Sequence, residues 1–195
     1  MFPTGPSCNR LYAAACIAAA FLFLGAAVDA AWIPVKAALA QWLIERSWKS
    51  GGRVPPWPWA DTRPAAVLEA PAHGVRLLVL EGNSSRNLAF GPVFSDGTAK
   101  ASDMVINGHR DTHFEFLQQL KPGDLLSVQR PSGKMQYKVT QTDVVDSRKS
   151  ELLIDPGVDR LSLVTCYPFD MASAGGPLRY VVTALPVSRR SASSG

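Results

Sequence analysis

Three residues in this chain have the types and the placement that acyl transfer through a thiol requires. Cys166 ends the run Leu161-Ser-Leu-Val-Thr-Cys166, in which Leu161, Leu163 and Thr165 alternate with Ser162 and Val164. That alternation predicts a half-buried strand. His109 ends a second strand-like run, Met104-Val-Ile-Asn-Gly-His109, and Arg179 opens a third, Arg179-Tyr-Val-Val-Thr-Ala-Leu185. A thiol attacks well only as its thiolate. An imidazole within reach exchanges the proton and later delivers one to a leaving amine. The oxyanion that forms needs donors aimed at it, and an arginine fork and the backbone N–H of Tyr167 are candidates. Taken singly, each residue has an ordinary reading, since free cysteine is among the most buried residue types. The constellation of three strand ends makes the case.

The strings around these residues resemble the sortases. Ser162-Leu-Val-Thr-Cys166 is similar to their Thr-Leu-x-Thr-Cys motif, with Ser keeping the hydroxyl of the first Thr. Gly108-His109 matches their Gly-His element and Arg179 their downstream Arg. Gly108-His-Arg-Asp-Thr-His-Phe114 and Cys166-Tyr-Pro-Phe169 are similar as well, and the resemblance runs from about Val67 to Leu185. The N-terminal segment and Pro56-Trp-Pro-Trp59 most resemble sortases of Gram-negative bacteria. The resemblance implies a mainly β fold, a closed eight-stranded barrel with one or two short helices, and Cys166 and Arg179 on neighbouring strands. It implies a cysteine transpeptidase that cuts a Leu-Pro-x-Thr-Gly-like signal after Thr, forms a thioester on Cys166 and passes the acyl group to an amine. His109 would be the acid/base, Arg179 would hold substrate and oxyanion, and Thr165 and Tyr167 would bind substrate. The implied partner is a secreted protein with a C-terminal sorting signal. No cofactor is implied, and the amine acceptor is left open. Two other readings stand beside it. One is a different cysteine acyl-transferase such as an L,D-transpeptidase, whose Ser-His-Gly-x-x-type string Val164-Thr-Cys-Tyr167 does not match. The other is an anchored, non-catalytic β-barrel binding module.

His109 and His113 are four apart with Asp111 between them, and Cys166 offers a third ligand. Paired histidines at that spacing bind zinc when they share a helical face. Gly108 interrupts the chain and His109 ends a strand-like run, so the pair is not expected to share one, and no metal site is predicted. Phe114, Phe116, Leu117 and Leu120 predict a short helix beginning near Thr112 or His113, with Thr112 as N-cap. His73, in Pro71-Ala-His-Gly74, falls in a turn.

The 195 residues suit one domain plus an N-terminal addition. Net charge is +4, but from Ala65 onward 14 Lys/Arg face 13 Asp/Glu, against 6 and 3 in the first 64 residues. The globular part offers no basic face for nucleic acid. Three cysteines make no disulfide framework, and Cys8 and Cys16 fall before and inside an N-terminal apolar segment, which leaves Cys166 a free thiol.

That segment, Leu11 to Val28, holds 18 uncharged residues, just enough to cross a bilayer. It predicts an anchor over 1–30, with the catalytic domain on the extracytoplasmic, periplasmic side of the cytoplasmic membrane. A signal peptide cleaved near Ala27 is the competing reading. In 31–48, Trp32, Val35, Leu39, Trp42 and Leu43 recur at helical spacing, and Gly51 to Asp61 reads as a Pro-stiffened linker. Trp57 and Trp59 are unusual in a spacer and are expected to dock on the domain or cover its site. The expected division is 1–30 anchor, 31–64 helix and linker, 65–187 catalytic domain, 188–195 disordered tail. Within the domain, strands are expected at Ala66–Glu69, Val75–Glu81, Leu88–Phe94, Met104–Asn107, Leu125–Arg130, Lys134–Val145, Leu161–Cys166 and Arg179–Leu185, with a hairpin at Pro131-Ser-Gly133.

Overall fold

The computed structural model of the chain describes residues 6–149, 154–170 and 176–187; the predicted disordered tail, 188–195, lies outside them. One helix, α1, runs Pro6–Lys49 without a break, where the sequence suggested an anchor followed by a separate amphipathic helix. The chain forms two compact units, one ending at Trp42 and the other beginning at Leu43. In the first, Tyr12, Ile17, Phe23, Trp32, Val35, Leu39 and Trp42 are all exposed. Among the described residues no helix is long and apolar enough to cross a membrane.

The second unit is built on eight strands: β1 Pro64–Ala70, β2 Val75–Leu80, β3 Val93–Phe94, β4 Asp103–Asn107, β5 Leu125–Arg130, β6 Gly133–Asp146, β7 Arg160–Cys166 and β8 Leu178–Pro186. They close into a barrel in the order β1-β2-β3-β4-β7-β8-β6-β5. The pairs β2/β3 and β4/β7 are parallel and the rest antiparallel. The seam is thinnest at β3, which meets β2 only at Leu80/Val93 and β4 only at two pairs. The expected hairpin closes with Arg130 opposite Gly133, whose φ of 139° only glycine adopts without strain. The expected strand at Leu88–Phe94 shrinks to two residues. Ser84 accepts a hydrogen bond from Asn87 N and caps a short helix, α2 (Ser85–Leu88), and Pro92 lacks the N–H a ladder needs. The helix expected near Thr112 is a 3-10 turn at Glu115–Gln119, preceded by Phe114 with no side-chain cap; Thr112 Oγ1 instead lies 3.4 Å from His113 Nδ1.

Inside the barrel Leu68, Phe94, Ile106, Phe114, Leu117, Leu126, Tyr137, Leu161, Leu163 and Val182 are fully buried. Each large side chain so buried contributes about 1.5–3 kcal/mol. A smaller cluster lies outside the barrel wall on β2 and β3, where Ile44, Leu80 and Val93 pack with Trp57, Leu78, Leu88 and Phe90. Trp57 meets Phe90 edge-on at 5.3 Å, while Trp59 is 82% exposed. The last turn of α1 and half of the Trp/Pro segment therefore pack as part of the barrel unit, upstream of residue 65.

Candidate active site

The site is assembled by one parallel and one antiparallel strand pair. In β4/β7, Asn107 pairs with Val164, and just beyond it Gly108 N donates to Val164 O at 3.1 Å. Thr165 Oγ1 then donates to Gly108 O at 2.7 Å. His109 follows directly on Gly108, the residue that the neighbour of Cys166 binds. In β7/β8, Cys166 is directly opposite Arg179. Leu161, Leu163 and Thr165 point inward, so Cys166 and Arg179 fall on the outer side at the barrel's rim. His109 is exposed, and Cys166 and Arg179 are half-buried. Cys166 is a free thiol.

Gly108 has a steric reason. A Cβ there would lie 2.6–2.8 Å from three ring carbons of the fully buried Phe114. Phe114 N in turn donates to His109 O at 2.9 Å, so the 109–114 loop is fastened at both ends.

Arg179 is held by its own loop. Its Nη1 donates to Gly176 O at 2.7 Å and to Leu178 O at 2.9 Å. That uses one nitrogen, and among the described residues the Nε/Nη2 edge has no hydrogen-bond partner, which suits it to a carbonyl or oxyanion. One expectation needs correcting. The Tyr167 N–H, expected as an oxyanion donor, is spent on Leu178 O at 3.1 Å, because the β7/β8 ladder continues past Cys166. Thr165 is 3% exposed, and its hydroxyl donates to Gly108 O, which ties the segment before His109 to the strand of Cys166. The Tyr167 ring stays at the surface of an aromatic group, stacked on Tyr180 at 6.3 Å and edge-on to Phe169 at 6.2 Å.

His113 sits close enough to feel the His109 charge. Burial first, then that charge, hold its imidazole below the ordinary value. No group of three His, Cys, Asp or Glu able to hold a metal occurs among the described residues. The residue that sequence reasoning missed is Arg110. It is buried at 6% exposure, bonds both Asp111 carboxylate oxygens, and donates from Nη1 to Pro168 O at 2.6 Å. Nothing in the string His109-Arg-Asp111 signals that the arginine turns inward.

The model of the sortase domain matches residues 68–187. This chain belongs to the sortase family. Sortase D of Bacillus subtilis (strain 168) is 29% identical over 122 residues, which is 60% of this chain and 61% of that protein. Sortase SrtE1 of Streptomyces coelicolor is 28% identical over 147 residues, 64% of this chain and 42% of that one. The chain thus spans less than two thirds of these curated relatives. Among solved structures, sortase C-1 from Actinomyces oris superposes with a TM-score of 0.56 at 30% identity, covering 64% of this chain and 75% of that one. Sortase A from Corynebacterium diphtheriae does so with a TM-score of 0.58 at 25% identity, covering 67% and 63%.

Proposed function

We propose that this sortase is a cysteine transpeptidase that cleaves a Leu-Pro-x-Thr-Gly-like sorting signal on a secreted protein and transfers the acyl group to an amine. The observation that supports it most is the direct cross-strand pairing of Cys166 with Arg179, together with the tie from Thr165, next to Cys166, to Gly108, next to His109. Cys166 Sγ attacks the Thr carbonyl. The oxyanion meets the Nε/Nη2 edge of Arg179, which is already oriented by two carbonyls and needs little reorganisation. His109 protonates the departing amine, leaving a thioester on Cys166. The acceptor amine then attacks, gives its proton to His109, and releases the thiolate. The Tyr167 ring offers an apolar surface for the signal beside the thiol.

The exposed apolar side chains of α1 support attachment to the cytoplasmic membrane through the N-terminal helix, with the barrel on the extracytoplasmic side. Trp32, Val35, Leu39 and Trp42 recur every three to four residues and are each more than half exposed; such a stripe is favoured against lipid. The test is to incubate the purified chain with a fluorogenic sorting-signal peptide, with and without an amine, and look by mass spectrometry for an acyl-enzyme at Cys166. Amine-dependent product and a Cys166 adduct, both lost in Cys166→Ala, are expected. Cleavage that persists in Cys166→Ala refutes the assignment.

A further inference from the structure

Transfer chemistry as described makes no use of Arg110, yet it is the one buried cation among the described residues. We propose that Arg110 is a positioning residue for the nucleophile, clamping the backbone just after Cys166 and keeping a positive charge behind the thiol as negative charge develops on it. The proposal rests on the transpeptidase reading above and adds a division of labour to it: Arg179 serves the substrate carbonyl, Arg110 the sulfur.

Three observations carry it. Two partners of the guanidinium lie among the described residues. Nε and Nη2 take the Asp111 carboxylate, and Nη1 reaches Pro168 O at 2.6 Å, two residues past Cys166. The pair with Asp111 joins sequence neighbours, so what the fold adds is the hold on Pro168, across 58 positions of chain. A fork is needed for this, because a lysine cannot satisfy both partners in fixed geometry. The second observation is an asymmetry of burial. The arginine side chain is 6% exposed and the aspartate 64%. Water screens the exposed anion more than the buried cation. The third is direction. Pro168 O, the acceptor that Arg110 takes, lies between Cys166 and Asp170 on the segment that Arg110 holds.

A plain loop staple would need only the hydrogen bond, whereas the proposal also needs the charge. The test compares Arg110→Gln, which keeps donors without charge, with Arg110→Lys, which keeps charge without the fork. In the full-length protein, Cys166 alkylation by iodoacetamide at fixed pH is followed by peptide-resolved mass spectrometry, together with kcat and KM on a sorting-signal peptide and thermal melting. Arg110→Gln is expected to lower both alkylation and kcat about tenfold or more, as loss of a nearby opposite charge does, with KM within about twofold. Arg110→Lys is expected to restore most of the alkylation rate but not kcat. A folded Arg110→Gln protein alkylated at the wild-type rate overturns the proposal. If Arg110→Gln does not fold, Arg110→Lys decides: an alkylation rate reduced as far as tenfold overturns it. Alkylation needs no sorting signal, so a protein inactive on every peptide but with Arg110-dependent alkylation refutes the transpeptidase reading and leaves the clamp standing.

Discussion

Gly108→Ala isolates the contact that lets the Gly-His segment exist. The added Cβ would lie 2.6 Å from Phe114 Cγ, 2.7 Å from Cδ2 and 2.8 Å from Cδ1. Carbon atoms pack at about 3.5–4.0 Å, so ring or backbone must retreat by roughly 1 Å. The ring has no free side to move into: it is fully buried and meets Phe116 edge-on at 6.0 Å. Overpacking of this kind costs about 1–3 kcal/mol, and a rigid buried ring puts Gly108→Ala at the upper end. That is a large share of a typical ~5–15 kcal/mol stability. The same residue donates the hydrogen bond to Val164 O, so His109 shifts with it and turnover falls beyond what lost stability explains. The assay is denaturant unfolding of wild type, Gly108→Ala, Phe114→Leu and the double variant. Phe114→Leu makes room at the ring, so the double variant should be more stable than the sum of the singles by at least about 1 kcal/mol. Additivity within about 0.5 kcal/mol, or a Gly108→Ala protein as stable as wild type, refutes the steric account.

Thr165→Val removes the hydroxyl that ties β7 to Gly108 O; it should cost about 1–3 kcal/mol and lower turnover, while Thr165→Ser keeps the bond and most of the rate, checked by unfolding and peptide cleavage. Arg179→Lys keeps charge but loses the oriented Nε/Nη2 edge, and kcat should fall by about 10²-fold or more, as removal of an oxyanion donor does; a fully active Arg179→Lys protein moves the oxyanion role elsewhere. His113 titrates below its ordinary 6.5 in the fold, so its protonation destabilises. Stability should be unaffected by it above that value and fall as pH drops through 6.5, a loss that His113→Gln should flatten in melts from pH 8 to 5. Trp57→Ala should cost about 3 kcal/mol, and removal of residues 1–42 should preserve the melting temperature whereas removal of 1–64, which strips Ile44 and Trp57 from the β2/β3 wall, should lower it.

Much of this protein was legible one-dimensionally. Alternation in Leu161–Cys166 located β7, because a strand with one buried face must repeat every two residues, and the β-rich composition of Arg179–Leu185 located β8. Short-range chemistry placed the Pro131-Ser132 turn, and the motifs around Cys166 and His109 pointed to the family. The sequence did not show which polar groups are already spoken for. The Tyr167 N–H is consumed by Leu178 O and the Thr165 hydroxyl by Gly108 O. Both partners are distant or unremarkable in the chain and become neighbours only when the barrel closes. Trp57 reads as linker until Ile44 and Phe90 are brought beside it. Arg110 reads as an ordinary loop cation, because whether a guanidinium faces water or Pro168 O depends on the path of a segment 58 residues away. Periodicity encodes which face a residue takes along its own strand. Hydrogen-bond partners and burial of charge are properties of the closed barrel, and tertiary contact alone assigned them.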